Sequence, residues 1–172
     1  MSKRDSVNSN VILDEITIQR KLDRIAYEIV ENNLDEKELI LIGVKDNGFR
    51  LAQQLRDKLQ NIGKLKITLA SVKLDKRNPM AKPIELDIDA SAVKNKAVVL
   101  VDDVAHSGKT LLYAMKPLLE HTPSKIQIAV LVDRKHKRFP VTADFVGLLL
   151  STGAHEQVIL EMDKGTFAYL VD

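Results

Sequence analysis

The chain has 172 residues, of which 45% are hydrophobic and only 4% aromatic, so aliphatic side chains must fill the core. With no cysteine it has no disulfide framework, no thiol nucleophile and no cysteine zinc site. Its net charge of +2 lacks the basic bias usual for nucleic-acid binders. No apolar run is long enough to cross a bilayer and no signal-peptide pattern opens the sequence, so the expected location is the cytoplasm.

In chain order, residues 1–10 are polar and predict a flexible tail ahead of a single domain over 11–172. Val11–Leu13 predicts a short strand. Asp14 then caps a helix to about Glu31, with Ile18, Leu22, Ile25 and Ile29 on one face. The apolar run Leu39–Val44 predicts a buried strand that empties into Lys45-Asp46-Asn47-Gly48. A second helix follows, burying Leu51, Leu55 and Leu59 and closing near Gly63. Leu65–Leu74 reads as a strand. Asp75–Ala90 is charged, carries Pro79 and Pro83 and has no period, which predicts a mobile loop or an irregular hairpin. Further strands are expected at Ile126–Val132, Phe145–Leu150, Val158–Leu160 and Phe167–Leu170. Alternation of strand and helix predicts an α/β fold of parallel βαβ units with an antiparallel finish.

The most informative segment is Val98 to Thr110. Four apolar residues deliver Asp102 and Asp103, and the small-residue loop Val104-Ala105-His106-Ser107-Gly108-Lys109-Thr110 opens a helix to about Leu119. Backbone N–H groups and a helix N-terminus suit an anion, and adjacent carboxylates suit a diol. Together they fit a ribose 5-phosphate. A Walker A loop is excluded, because the glycine it needs five positions before Gly108 is Asp103. His106 lies inside this loop; His121, His136 and His155 have no metal spacing.

This run resembles the binding motif for 5-phosphoribosyl diphosphate (PRPP) in type I phosphoribosyltransferases. Other segments, in order, are Leu41-Ile42-Gly43-Val44-Lys45, Val132-Asp133-Arg134 and Ala143-Asp144-Phe145-Val146-Gly147. With these the chain is similar to the bifunctional uracil phosphoribosyltransferase and pyrimidine-operon attenuation regulator family, over about residues 11–171. The resemblance implies a central, mainly parallel sheet flanked by helices, with a small hood placed at Asp133–Phe139. It implies transfer of ribose 5-phosphate from PRPP to uracil, giving UMP and pyrophosphate, with Mg²⁺ carried by the phosphates, in a homodimer or higher homo-oligomer. Asp102 and Asp103 would hold the ribose hydroxyls and Ala105–Thr110 the 5-phosphate. Lys45, Asp46, Asn47 and Gly48 would meet pyrophosphate; Val132, Asp133 and Arg134 would meet the base.

Three departures from the family pattern stand out. Asp46-Asn47 replaces a Thr-Arg pair. The arm after the third strand, which carries an Arg and two acids in the family, reads Ala70-Ser71-Val72-Lys73, leaving Lys73, with Lys76 and Arg77, to supply catalytic charge. Where the family reads RNA, this chain has Asp23, Tyr27, Asn32, Thr142 and Leu148, with Lys137 alone basic. Loss of cations weakens the phosphate contacts that dominate RNA affinity, so attenuation-type binding is not expected. A protein that senses PRPP or a nucleotide without turnover is the alternative to an enzyme.

Overall fold

The computed structural model describes residues 10–172; all but the last residue of the expected tail lie outside the described residues. Strand β1 (Val11–Leu13) leads into helix α1 (Glu15–Glu31). The Asp14 carboxylate accepts from the Thr17 N–H at 2.8 Å, as the cap predicts. The buried face is Ile18, Leu22, Ile25, Ala26 and Ile29. At the far end Asn33 is buried and its Nδ2 donates to the Ile29 carbonyl and to Gln127 Oε1, 2.7 and 2.9 Å away. This buried amide pair, invisible to a hydrophobic pattern, ties the helix to the sheet.

Strand β2 (Glu38–Val44), helix α2 (Asn47–Ile62) and strand β3 (Lys66–Lys73) form the first parallel crossover. The charged segment that follows is an irregular hairpin. Its strand β4 (Glu85–Leu86) pairs antiparallel with β3, and Asp87 accepts both the N–H and the hydroxyl of Ser71 at 2.7 Å. After a 3₁₀ turn at Ala90–Val93 come strand β5 (Ala97–Ala105), helices α3 (Lys109–Ala114) and α4 (Lys116–Leu119), and strands β6 (Lys125–Arg134) and β7 (Phe145–Leu150). The single helix expected to Leu119 is broken in two. Pro117 lacks an N–H and its ring crowds the carbonyl four residues back, so the chain restarts after Met115.

The main sheet has strand order β4-β3-β2-β5-β6-β7 and is parallel except at β4. From β2 the chain crosses to β3 on one side; from β5 it crosses to β6 on the other. The adjacent strands β2 and β5 therefore form the topological switch point, where the loops leaving their C-terminal ends part and open a crevice. One apolar layer packs α1 and α2 on the sheet, and a second packs α3 and α4 on its other face. Of the few aromatics, only Phe145 belongs to the buried core, so aliphatics do fill it.

A second, antiparallel sheet joins β1 to strands β8 (Gln157–Glu161) and β9 (Phe167–Val171) in the order β1-β9-β8. This is the hood. Its placement corrects the expectation of a hood at Asp133–Phe139: Asp133 and Arg134 are still inside β6, which is not the last strand of the main sheet. Residues 138 and 139 instead fold back on the loop after β5, their N–H groups both donating to the Ser107 carbonyl at 3.0 Å.

Candidate functional site

The crevice at the switch point is built from the ends of β2 and β5, the charged hairpin and the hood. Strand β5 does not stop at its acids. Asp102 pairs with Val130, and pairing continues through Val104 with Val132 and Ala105 with Asp133. Asp102 is thus 2% exposed. Its Oδ1 accepts from the Asp103 N–H at 2.9 Å, while Asp103 Oδ1 accepts from the Val104 N–H at 2.8 Å. Burial, and then the neighbouring charge of Asp103, push the Asp102 carboxyl well above the ordinary carboxylate range. Among the described residues the one opposing cation is Lys76 of the hairpin, whose Nζ lies 3.8 Å from Asp102 Oδ1.

Beyond the acids, the loop turns at Gly108. Its φ of +84° is a left-handed conformation, and an added Cβ would lie 3.3 Å from both the Phe139 carbonyl and the Val141 side chain. Helix α3 has only six residues, so its dipole has less to offer an anion than the sequence implied. Loop N–H groups and the Ser107 and Thr110 hydroxyls are the better donors. Together with Lys76, Asp102–Leu111 and hood residues Gln157–Leu160, Asn47 lines a cavity of about 280 Å³. His106 is half-buried there, and burial followed by the nearby Arg134 lowers its pKa, leaving the ring uncharged at neutral pH.

A wider cavity of about 900 Å³ adjoins it and shares Asn47, Lys76 and Asp103 with it. Four cations reach its wall, Lys45, Arg50, Lys73 and Lys76, against Asp46, Asp103 and Asp163. The Lys45–Asp46 peptide is cis. Gly48 meets β5 so closely that an added Cβ would be 2.7 Å from the Val101 carbonyl and 3.0 Å from Asp102 Oδ1. Asn47 Nδ2 donates to the Leu160 carbonyl at 2.9 Å and to Asp103 Oδ2 at 3.2 Å, joining the loop to both the acids and the hood.

Residues 9–161 match the phosphoribosyl transferase domain. The chain belongs to the phosphoribosyltransferase family. The bifunctional protein PyrR of Staphylococcus epidermidis is 38% identical over 166 residues, covering 92% of this chain and 94% of that protein. The pyrimidine operon regulatory protein of Lactococcus lactis subsp. lactis is 37% identical over 158 residues, covering 89% and 90%. Among solved structures, hypoxanthine phosphoribosyltransferase of Trypanosoma cruzi with IMP superposes at a TM-score of 0.78 and 17% identity, covering 95% of this chain and 90% of that one. A hypoxanthine-guanine phosphoribosyltransferase of Bacillus anthracis gives 0.73 and 21%, covering 94% and 98%. The fold is that of a type I phosphoribosyltransferase.

Against this phosphoribosyltransferase frame, the remaining expected site residues divide. Lys73 ends β3 on the wall of the wide cavity, but the arm residue that reaches the acids is Lys76. Val132 is fully buried and lies between Val104 and Leu148 in the sheet, so neither its side chain nor its backbone is open to a ligand. Asp133 is ion-paired to Lys137. Arg134 spends its guanidinium on Thr152 Oγ1 at 2.6 Å and the Gly153 carbonyl at 3.2 Å, with His106 Nδ1 3.4 Å away. It bridges the loop after β5 to the turn after β7, so its donors are already engaged within the protein. Arg50, Asp163 and Gln157–Leu160 went unnoticed in the sequence. Arg50 follows Asn47 by three residues on a helix, a spacing that shares a face and could have marked it.

No helix is long and apolar enough to cross a membrane among the described residues.

Proposed function

We propose that this phosphoribosyltransferase moves ribose 5-phosphate from PRPP to a pyrimidine base, with uracil the leading acceptor. The observation that carries the proposal is the Asp102–Asp103 pair, the first acid buried and the second open to the cavity, beside the Ser107–Thr110 loop. In this reading the carboxylates meet the ribose 2′- and 3′-hydroxyls, and the loop N–H groups and hydroxyls hold the 5-phosphate. The diphosphate then extends into the wide cavity with its cations. The bond from C1 to the diphosphate oxygen breaks, a bond to the base nitrogen forms, and that nitrogen loses its proton. Positive charge grows at C1 on the way, beside the two acids. The hood and the charged hairpin cover the crevice and limit water.

The residues present fit Mg²⁺ that arrives on the substrate. No cluster of three or more potential ligands exists among the described residues, while Asp103 is half-exposed at the junction of the two cavities. Asp103, with Asp102 behind it, would hold the hydrated ion, which neutralises charge on the departing diphosphate.

A pyrimidine acceptor is supported by the relatives' designation as pyrimidine operon regulators. Incubation with PRPP, Mg²⁺ and each nucleobase is expected to release pyrophosphate with uracil. Binding of PRPP or UMP without release of pyrophosphate would favour the sensor in its place.

Sequence-dependent RNA binding is not part of this proposal. Asp23 is paired with Lys58, Asn32 caps α1 by donating to the Glu28 carbonyl at 2.8 Å, and Lys137 is held by Asp133. None of these offers a cation to an RNA phosphate. Filter binding to a pyrimidine-operon leader is expected to give a dissociation constant no tighter than ~1 μM at physiological salt, within the non-specific range. Nanomolar binding lost on scrambling the leader would reverse that conclusion.

A further inference from the structure

We propose that Arg50 supplies the guanidinium that binds the ligand's diphosphate, and that Asp163 of the hood competes with the ligand for it. The inference rests on the phosphoribosyl reading above and singles out, from the charges of the wide cavity, one pair whose separate roles that reading leaves unassigned. At position 47, where the family resemblance leads one to expect an arginine, the chain has Asn47, whose amide is engaged by Leu160 and Asp103 and carries no charge. Arg50 stands one helical turn further on, on the same side of α2, and reaches the wide cavity beside Lys45 and Lys76. A guanidinium offers the paired donors that phosphate oxygens accept, which an ammonium does not.

In the structure one arm of that fork is engaged. Arg50 Nη1 lies 2.6 Å from Asp163 Oδ1, in the turn between β8 and β9. The two side chains are 45% and 70% exposed, and an ion pair this open to water is weak enough for a diphosphate to replace. Asp163 thereby serves as an internal stand-in for the ligand's anion. Its release on binding frees the β8–β9 turn from α2, so diphosphate occupancy is felt in the hood.

Titration calorimetry with PRPP, inorganic pyrophosphate and ribose 5-phosphate in Mg²⁺ buffer tests the pair. Arg50→Ala is expected to weaken PRPP and pyrophosphate roughly 10- to 100-fold, the range for a lost charge-assisted contact, and to leave ribose 5-phosphate within about twofold. Arg50→Lys should fall between. Asp163→Asn should bind pyrophosphate a few-fold tighter, the opposite sign to Arg50→Ala. If the ion pair merely braced the structure, both variants would weaken binding together, and that result overturns the proposal. Unchanged pyrophosphate affinity in Arg50→Ala overturns it too, as does a wild-type protein that binds ribose 5-phosphate as tightly as PRPP. A wild-type protein that binds neither ligand would instead defeat the phosphoribosyl reading on which the inference stands.

Discussion

The double substitution Asp102→Asn with Asp103→Asn is expected to abolish PRPP binding and, in the ligand-free protein, to raise the melting temperature. The two effects have one cause. Asp102 is buried in a parallel strand next to a second acid, and among the described residues only the exposed ammonium of Lys76, 3.8 Å away, offsets it. Its pKa is raised in the fold, so its contribution to stability is complete below the unfolded carboxylate value of about 4. That contribution is lost as pH climbs through the folded value. Asparagine is neutral throughout, and at position 102 its amide oxygen can still accept from the backbone N–H of residue 103. The gain should be on the order of 0.5–2 kcal/mol at neutral pH, a shift of a few degrees, and should shrink toward acid pH. Calorimetric melting across pH, with PRPP titration, checks both halves. A lowered melting temperature would contradict the stored destabilisation, and undiminished PRPP affinity would remove the acids from the site.

Gly48→Ala should be damaging in a different way. The new Cβ would sit 2.7 Å from the Val101 carbonyl and 3.0 Å from the Asp102 backbone and carboxylate, all fixed atoms of the central strand. Helix α2 must then lift from β5. Overpacking of this kind costs about 1–3 kcal/mol, and the displacement falls on the loop and the acids at once. The expected result is a melting temperature lower by several degrees, with PRPP affinity reduced in the protein that remains folded. Chemical denaturation and PRPP titration of the same preparation would show it. A variant as stable as wild type would mean that α2 can shift freely against the sheet.

What could be read from the sequence follows the range of the forces involved. Local patterns sufficed for α1, where Asp14 and the Ile18–Leu22–Ile25–Ile29 face need only near neighbours, and for the strands, whose apolar runs are bounded by polar turns. The motif Val98–Thr110 was legible because loop, acids and glycine are contiguous. The hood was misplaced because its pairing joins Val11 to Tyr169, a contact with no local signature. The break at Met115 was legible from Pro117 and was passed over. Lys76 was outranked by Lys73 because nothing in the spacing of a loop tells which lysine turns toward Asp102. Arg50 and Asp163 meet across 113 residues, a pairing decided by packing alone.

The hood's strand order also bears on how the protein is assembled. Its central strand, β9, holds β1 on one side and β8 on the other, so the earliest described strand finds its only sheet partner in the last one. Such a pairing has the highest sequence separation among the described strands and a large loop-closure cost. The main sheet, by contrast, joins strands consecutive in the chain everywhere except at the β2–β5 pair, and no pair in it spans as much chain. The hood should therefore form last and open first, as a cooperative unit of lower stability than the sheet beneath it. Amide exchange in β1 and β9 should report that opening well below the exchange free energy of β2 and β5. Opening of β9 would also loosen β8, the hood strand that lines the crevice.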